Sequence, residues 1–268
     1  MTINNEGYLS PDITAWIGKH RADNADWFAL AGDLNRIAQS QLGRLRARDD
    51  EHQSLVVALC FLRGLSQFQG SIIMAERGMI AEARTLIRGC LETVFLMGAA
   101  NAEPDIGELL IQDDAHRRDK IAKKILSNHE ILTEEDRVLE TTLTEYVAKR
   151  ENSGVKGAAL VIRAAAKIAG LEAVYDTYYS ALSNDSVHPS LTSLRRHLSS
   201  DAESSGFRWG PEVPVSEVGD AVSYACTACI YLIQMAHDRF DTGDLGDRIG
   251  EAWEQYKKLI NGTRGETM

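Results

Sequence analysis

A chain of 268 residues with 44% hydrophobic and 25% charged side chains has room for a large core and reads as a soluble globular protein. Its formal charge of −10 at pH 7 excludes attraction of the whole surface to nucleic acid or anionic lipid, which demands clustered cations. Only five prolines punctuate the chain, and its richness in Ala, Leu, Glu and Arg points to long helices.

Ser10 and Pro11 read as a helix cap and first turn, opening helical periodicity that continues in pieces to residue 48 on Trp16, Trp27, Phe28, Leu34 and Ile37. Asp49, Asp50 and Glu51 suit the first turn of a second helix, because acids offset the positive end of the helix dipole. That helix reaches Arg77 and carries Leu55, Leu59, Leu62, Leu65 and Ile72. Being apolar on most sides, it is expected to be central. Gly78 breaks the pattern, and the next helix runs to residue 100. Further helices are expected over 103–128, 133–153, 155–169, 171–183 and 190–198. The Ser/Gly-rich stretch 199–214 is the one clear loop, in which Phe207, Arg208 and Trp209 make a short strand or lie on the body. Helices over 216–240 and 245–260 complete the chain. With no strand alternation worth a sheet, the expected class is all-α: a multi-helix bundle forming a single helical domain over 1–268. Its core lies in 50–200, flanking helices occupy 10–48 and 215–261, and a short loop excursion sits near 199–214.

The helix after Gly78 carries charge where a surface helix would not. At about 100° per residue, Ile80, Ile87, Leu91 and Phe95 share one face. Arg84 lies in that sector, Arg88 at its edge, and Glu92 one step further round. Such a stripe is either a paired structural network or a site. A second polar segment runs from Tyr175 to Ser190. There Tyr179 and Ser183 stand one turn apart, and His188 precedes Pro189, which disfavours helix for it and sets it at a helix junction.

Other features carry less chemistry. Cys60, Cys90, Cys226 and Cys229 all lie in apolar helical runs and read as buried packing residues of a reducing compartment. The CxxC spacing of Cys226 and Cys229 falls mid-helix, where a redox pair is not expected. Asp113 and His116 make half of a di-iron motif, so no metal or other cofactor is expected. His116, Arg117, Arg118, Lys120, Lys123 and Lys124 are the densest basic patch and read as a solvated face of mixed charge. The polar start of the chain lacks a leader pattern, and the apolar stretches 55–65 and 221–236 are short or interrupted against the ~20 residues of a membrane span. The expected location is cytoplasmic, with no membrane partner.

The run from Leu62, Arg63, Gly64 and Leu65 through Ala83, Arg84, Leu86, Ile87, Arg88, Leu91 and Glu92 resembles the signature helix pair of a bacterial family of unknown function. Tyr179, Leu182, Ser183, Val187 and His188 match the second half of that signature at the same spacing. The resemblance covers 55–198 and implies a helical bundle in which Arg88, Glu92, Ser183 and His188 meet in one cleft. More loosely, the architecture is similar to HEPN domains, helical bundles that include metal-independent RNases of defence systems. Their Arg-to-His motif has one counterpart in spacing here, Arg46 to His52, without the polar residue that follows the arginine.

Two functions follow as expectations. In the first, Arg84, Arg88, Ser183 and Tyr179 bind an anionic small molecule or RNA, with His188 as catalytic acid or base and Glu92 fixing its tautomer or holding Arg88 in place. In the second, the protein is a non-catalytic interaction module, a homo-oligomer whose stripe is a buried polar network. Partner faces in that case are the helices around 72–74 and 221–235, with Trp209, Trp253 and Tyr256 as anchors.

Overall fold

Good helix formers between glycine stops set the elements of this chain. The computed structural model describes residues 6–47, 51–128, 136–152, 161–186, 191–195, 198–201, 206–209 and 215–265. After a 3-10 turn at Gly7–Leu9, the Ser10 hydroxyl accepts the Asp12 N–H at 3.2 Å and α1 (Ile13–Asp23) begins. There follow α2 (Ala25–Leu42), α3 (His52–Glu76), α4 (Ile80–Ala102), α5 (Ile106–Ser127), α6 (Arg137–Asn152) and α7 (Ile162–Ile168). Gly78 and Gly170, with φ of 78° and 70°, supply the left-handed residues just past α3 and α7. Next comes one unbroken helical rod: α8 (Glu172–Val174), a π turn (Tyr175–Tyr179) and α9 (Ser180–Ser186). Then come α10 (Leu191–Arg195), a hairpin, α11 (Val215–Phe240) and α12 (Leu245–Gly265).

The hairpin pairs β1 (Leu198–Asp201) with β2 (Gly206–Trp209) antiparallel, Leu198 opposite Trp209 and Asp201 opposite Gly206. The stretch expected as a plain loop therefore holds a two-stranded ribbon, and Phe207, Arg208 and Trp209 lie in its second strand. Everything else described is helix or connection, and the class is all-α.

Helices α3, α4 and α11 pack on one another at the centre. Helices α2 and α12 lie against α11, while α7 and α9 lie against α4. Phe61 and Phe68 of α3, Ile87, Leu91 and Phe95 of α4, and Leu232 and Ile233 of α11 are almost wholly buried. Burying each such side chain contributes roughly 1.5–3 kcal/mol. The three helices approach closely at Gly64, where a Cβ would stand 2.5 Å from Leu232 Cδ1 and 2.7 Å from Thr93 Oγ1. No other residue fits that crossing without displacement.

Helix α3 is central, as its pattern predicts, yet keeps one face outside: Leu55, Leu59, Leu62 and Ile73 are 38%, 56%, 44% and 45% exposed. Its apolar window is 33% buried, against 72% for α11. The apolar periodicity of α3 continues around the helix, so one apolar face stays exposed after the described helices have packed on the others. Helix α11 goes the other way and is no partner face, because Ala221, Val222, Cys226, Cys229, Leu232, Ile233 and Ala236 are core. Tyr256 is likewise buried, hydrogen-bonded to Thr227 at 2.7 Å and stacked under Trp253 at 5.4 Å. Both α3 and α11 are long and apolar enough to cross a membrane by length and composition, contrary to the shorter apolar stretches expected.

Candidate functional site

Ile80, Ile87, Leu91 and Phe95 bury the inner face of α4, and the charged stripe runs along its margin. The side chains of Arg84, Arg88 and Glu92 are 14%, 26% and 29% exposed, so each is partly desolvated and needs partners. Two different elements supply them.

The π turn supplies the partners of Arg88 and Glu92. A π turn is uncommon and tends to mark a functional position. Here it sends neighbouring tyrosines to different helices. Tyr178 meets Tyr224 of α11 edge-on at 5.5 Å, and Tyr179 meets Phe95 of α4 at 5.9 Å. Tyr179 also stacks on Tyr175 at 4.7 Å. The Arg88 guanidinium sits over the Tyr179 ring at 4.9 Å. Arg88 Nη2 donates to the Tyr179 hydroxyl at 2.6 Å and pairs with Glu92 Oε1 at 2.9 Å. The Tyr179 hydroxyl in turn donates to Glu92 Oε1 at 2.8 Å. Arg88 Nε donates to Ser183 Oγ at 3.0 Å, and Ser183 Oγ donates to the Tyr179 carbonyl at 2.9 Å. The result is a closed ring of hydrogen bonds joining α4 to the π turn and α9. Three of the five guanidinium N–H groups are engaged, and the Nη1 pair engages no described residue. Burial, followed by the hydrogen bond to Glu92 and its charge, pushes the Tyr179 phenol up to about 12, so it is a neutral donor at physiological pH.

Arg84, one turn earlier, faces the start of α11. Its Nη2 lies 3.7 Å from Glu217 Oε2. Desolvation and then Glu217 raise the Asp220 carboxyl against the opposing pull of Arg84. Burial and then Asp220 raise the Tyr224 phenol. The whole stripe therefore holds two arginines, Arg84 and Arg88, among three carboxylates, Glu92, Glu217 and Asp220. Glu217, Asp220 and Tyr224 were not anticipated, since no local pattern ties the start of α11 to α4.

Of the six residues read as a site, Arg88, Glu92, Tyr179 and Ser183 meet in one network and Arg84 lies beside it. His188 lies outside the described residues. Clefts of about 400 Å³ beside Trp27 and Lys258, 340 Å³ between α2 and α3, and 230 Å³ between α5 and α6 lie away from this network.

The remaining candidates are paired or buried. Arg117, Arg118 and Lys123 of the basic face of α5 pair with Asp113, Asp114 and Asp119 one turn earlier. Burial pushes the Cys60 thiol up to about 11 and Cys90 up to about 12. It raises Cys226 and Cys229 too, so all four thiols are protonated at neutral pH. Arg46 is spent on the Gly43 and Leu45 carbonyls, at 3.1 and 2.7 Å.

The network spans the two segments of sequence whose joint spacing was the resemblance. A family model described as a family of unknown function (DUF5677) matches residues 54–206, more than half of the chain. The chain belongs to that family. In DUF5677 terms, the matched region runs from α3 to the hairpin and contains the whole Arg88–Glu92–Tyr179–Ser183 ring. No curated protein and no solved structure matches the chain.

Proposed function

We propose that this protein is a non-catalytic helical interaction module, in which the Arg88 ring locks the π turn onto α4 and the outer face of α3 meets a partner. The observation that carries the reading is the exposure of Leu55, Leu59, Leu62 and Ile73 along one helix. Scattered apolar residues on a surface need no explanation, but a ridge of them does. Charge supports it as well. Two arginines among three carboxylates make a poor trap for an anion, which would first have to displace Glu92 or Glu217.

A second reading rests on one specific feature, the Nη1 group of Arg88 beside a π turn, which engages none of the described residues. There an anionic, phosphate-bearing small molecule or RNA is held by Arg84, Arg88, Ser183 and Tyr179, with His188 as acid or base and Glu92 fixing its tautomer or holding Arg88. A HEPN-like nucleic-acid or defence role belongs with it.

A thermal-shift screen against inorganic phosphate, nucleotides, RNA oligonucleotides and small carboxylates separates the two, since a ligand of the native state raises the melting temperature. The module reading expects no shift from any of them, and a melting temperature for Arg88→Ala well below that of the wild type. A shift that vanishes in an Arg88→Ala protein of wild-type stability would replace it with the anion site.

A further inference from the structure

We infer that the outer face of α3 is closed by α3 of a second copy of this chain, antiparallel to it across a two-fold axis at the level of Gly64. The inference rests on the reading of α3 as a contact face and names what covers it. The first argument is periodicity. Leu55, Leu59, Leu62, Ser66, Gln69 and Ile73 follow one another at alternating steps of four and three, the 3.5-residue period of a two-helix seam. All six are exposed or half-buried. The inner positions Val57, Phe61, Leu65 and Phe68 are taken by α4 and α11, so the seam is a second and separate apolar surface.

Charge selects both partner and direction. Between His52 and Glu76 the only charged side chain of α3 is Arg63, whereas 25% of the whole chain is charged. The charges gather at the ends instead: exposed Glu51 stands before the helix, while at its far end half-buried Arg77 and Arg21 share the Glu76 carboxylate at 2.8 and 2.6 Å, two cations to one acid. In a parallel pair, Glu51 would meet Glu51 and Arg77 would meet Arg77. In the antiparallel pair each Glu51 meets the partner's Arg77, while Leu55 meets the partner's Ile73 and Leu62 meets the partner's Ser66. Like charges face in one arrangement and opposite charges in the other.

Shape agrees at the same place. The 340 Å³ cleft between α2 and α3 is lined by Phe28, Phe68 and Ile73 together with the polar Arg21, Asn35 and Gln69, and opens at the C-terminal end of the seam. The antiparallel register brings Leu55 of the other copy to that opening, so each copy offers one leucine and one socket. This is the reciprocal contact a two-fold interface requires. A 25-residue helix is about 37 Å long. A seam of one such helix with its sockets falls at the small end of specific interfaces, about 1,200 Å² in total. The expected dimer is accordingly of micromolar strength rather than permanent.

Sedimentation velocity on the full chain, from micromolar to hundreds of micromolar, tests this. The wild type should pass from monomer to dimer. Leu59→Lys with Leu62→Lys should stay monomeric throughout with unchanged helical circular dichroism, both leucines being exposed. Direction is tested by charge: Glu51→Arg alone and Arg77→Glu alone should each weaken the dimer about tenfold, and the double swap should restore it. A wild type that stays monomeric at the highest concentration overturns the second copy, whether or not α3 then binds phosphatidylcholine vesicles instead. A dimer indifferent to the lysines overturns it too, and a double swap no better than either single change overturns the antiparallel register. None of these results depends on the anion screen, whose outcome alone decides against the module reading.

Discussion

Tyr179 is the residue on which the polar ring turns. Its hydroxyl accepts from Arg88 and donates to Glu92, and its carbonyl accepts from Ser183. The ion pair alone, about a quarter exposed on each side, contributes little, roughly 0–1 kcal/mol. Removing the hydroxyl leaves a partly desolvated arginine and carboxylate each short of a partner. Tyr179→Phe should therefore lower stability by about 1–3 kcal/mol, read as the midpoint of urea unfolding. Arg88→Ala should cost at least as much, and the double variant less than the two combined, because both changes break one ring. Full additivity would mean that the ring does not act as a unit. The phenol also gives a pH signature. Its value in the folded chain, about 12, lies above the ordinary 10. The folded state therefore favours the protonated form, and this contribution is whole below pH 10 and lost as pH rises from 10 towards 12. The gap in melting temperature between wild type and Tyr179→Phe should narrow over that window, and a constant gap would contradict the assignment.

Elements show what a single sequence can and cannot disclose. The helices themselves were legible: Gly78 and Gly170 stop α3 and α7 where expected, and Ser10 holds the turn before α1. The stripe of Arg84, Arg88 and Glu92 was legible from helical period alone, and Tyr179 and Ser183 from their i, i+4 spacing. Its closure by Glu217 and Asp220 was not, because nothing local ties the start of α11 to a helix over 130 residues earlier. Nor was the inside-out difference between α3 and α11. Both carry long apolar stretches, and only tertiary packing decides that α11 is enclosed while α3 keeps one face outside. Gly64 makes that packing testable. A methyl at Gly64 would press on Leu232 and Thr93, both held in the core. Gly64→Ala should gain helix propensity, about 1 kcal/mol, yet lose net stability, because overpacking costs about 1–3 kcal/mol. A variant more stable than the wild type by thermal melting would mean that α3 can move away from α11.

At the scale of the whole molecule, charge and apolar surface pull the paired state in opposite directions. Each copy carries a formal −10, so two copies repel as bodies. The seam between them is almost without charge, and only the Glu51 and Arg77 ends offer attraction. Exposed ion pairs of that kind contribute roughly 0–1 kcal/mol each. Salt screens both effects, over about 10 Å at 0.1 M, but leaves apolar burial intact. Repulsion between the bodies involves many charges, whereas attraction at the ends involves one pair at each. The repulsion is therefore the larger quantity lost. Self-association should tighten several-fold when salt is raised from tens to hundreds of millimolar, measured by sedimentation equilibrium on the wild type. The charge-swapped double variant should show the same trend, because its net charge is unchanged. Weakening in salt would instead show that the end pairs, rather than the leucine ridge, hold the two copies together.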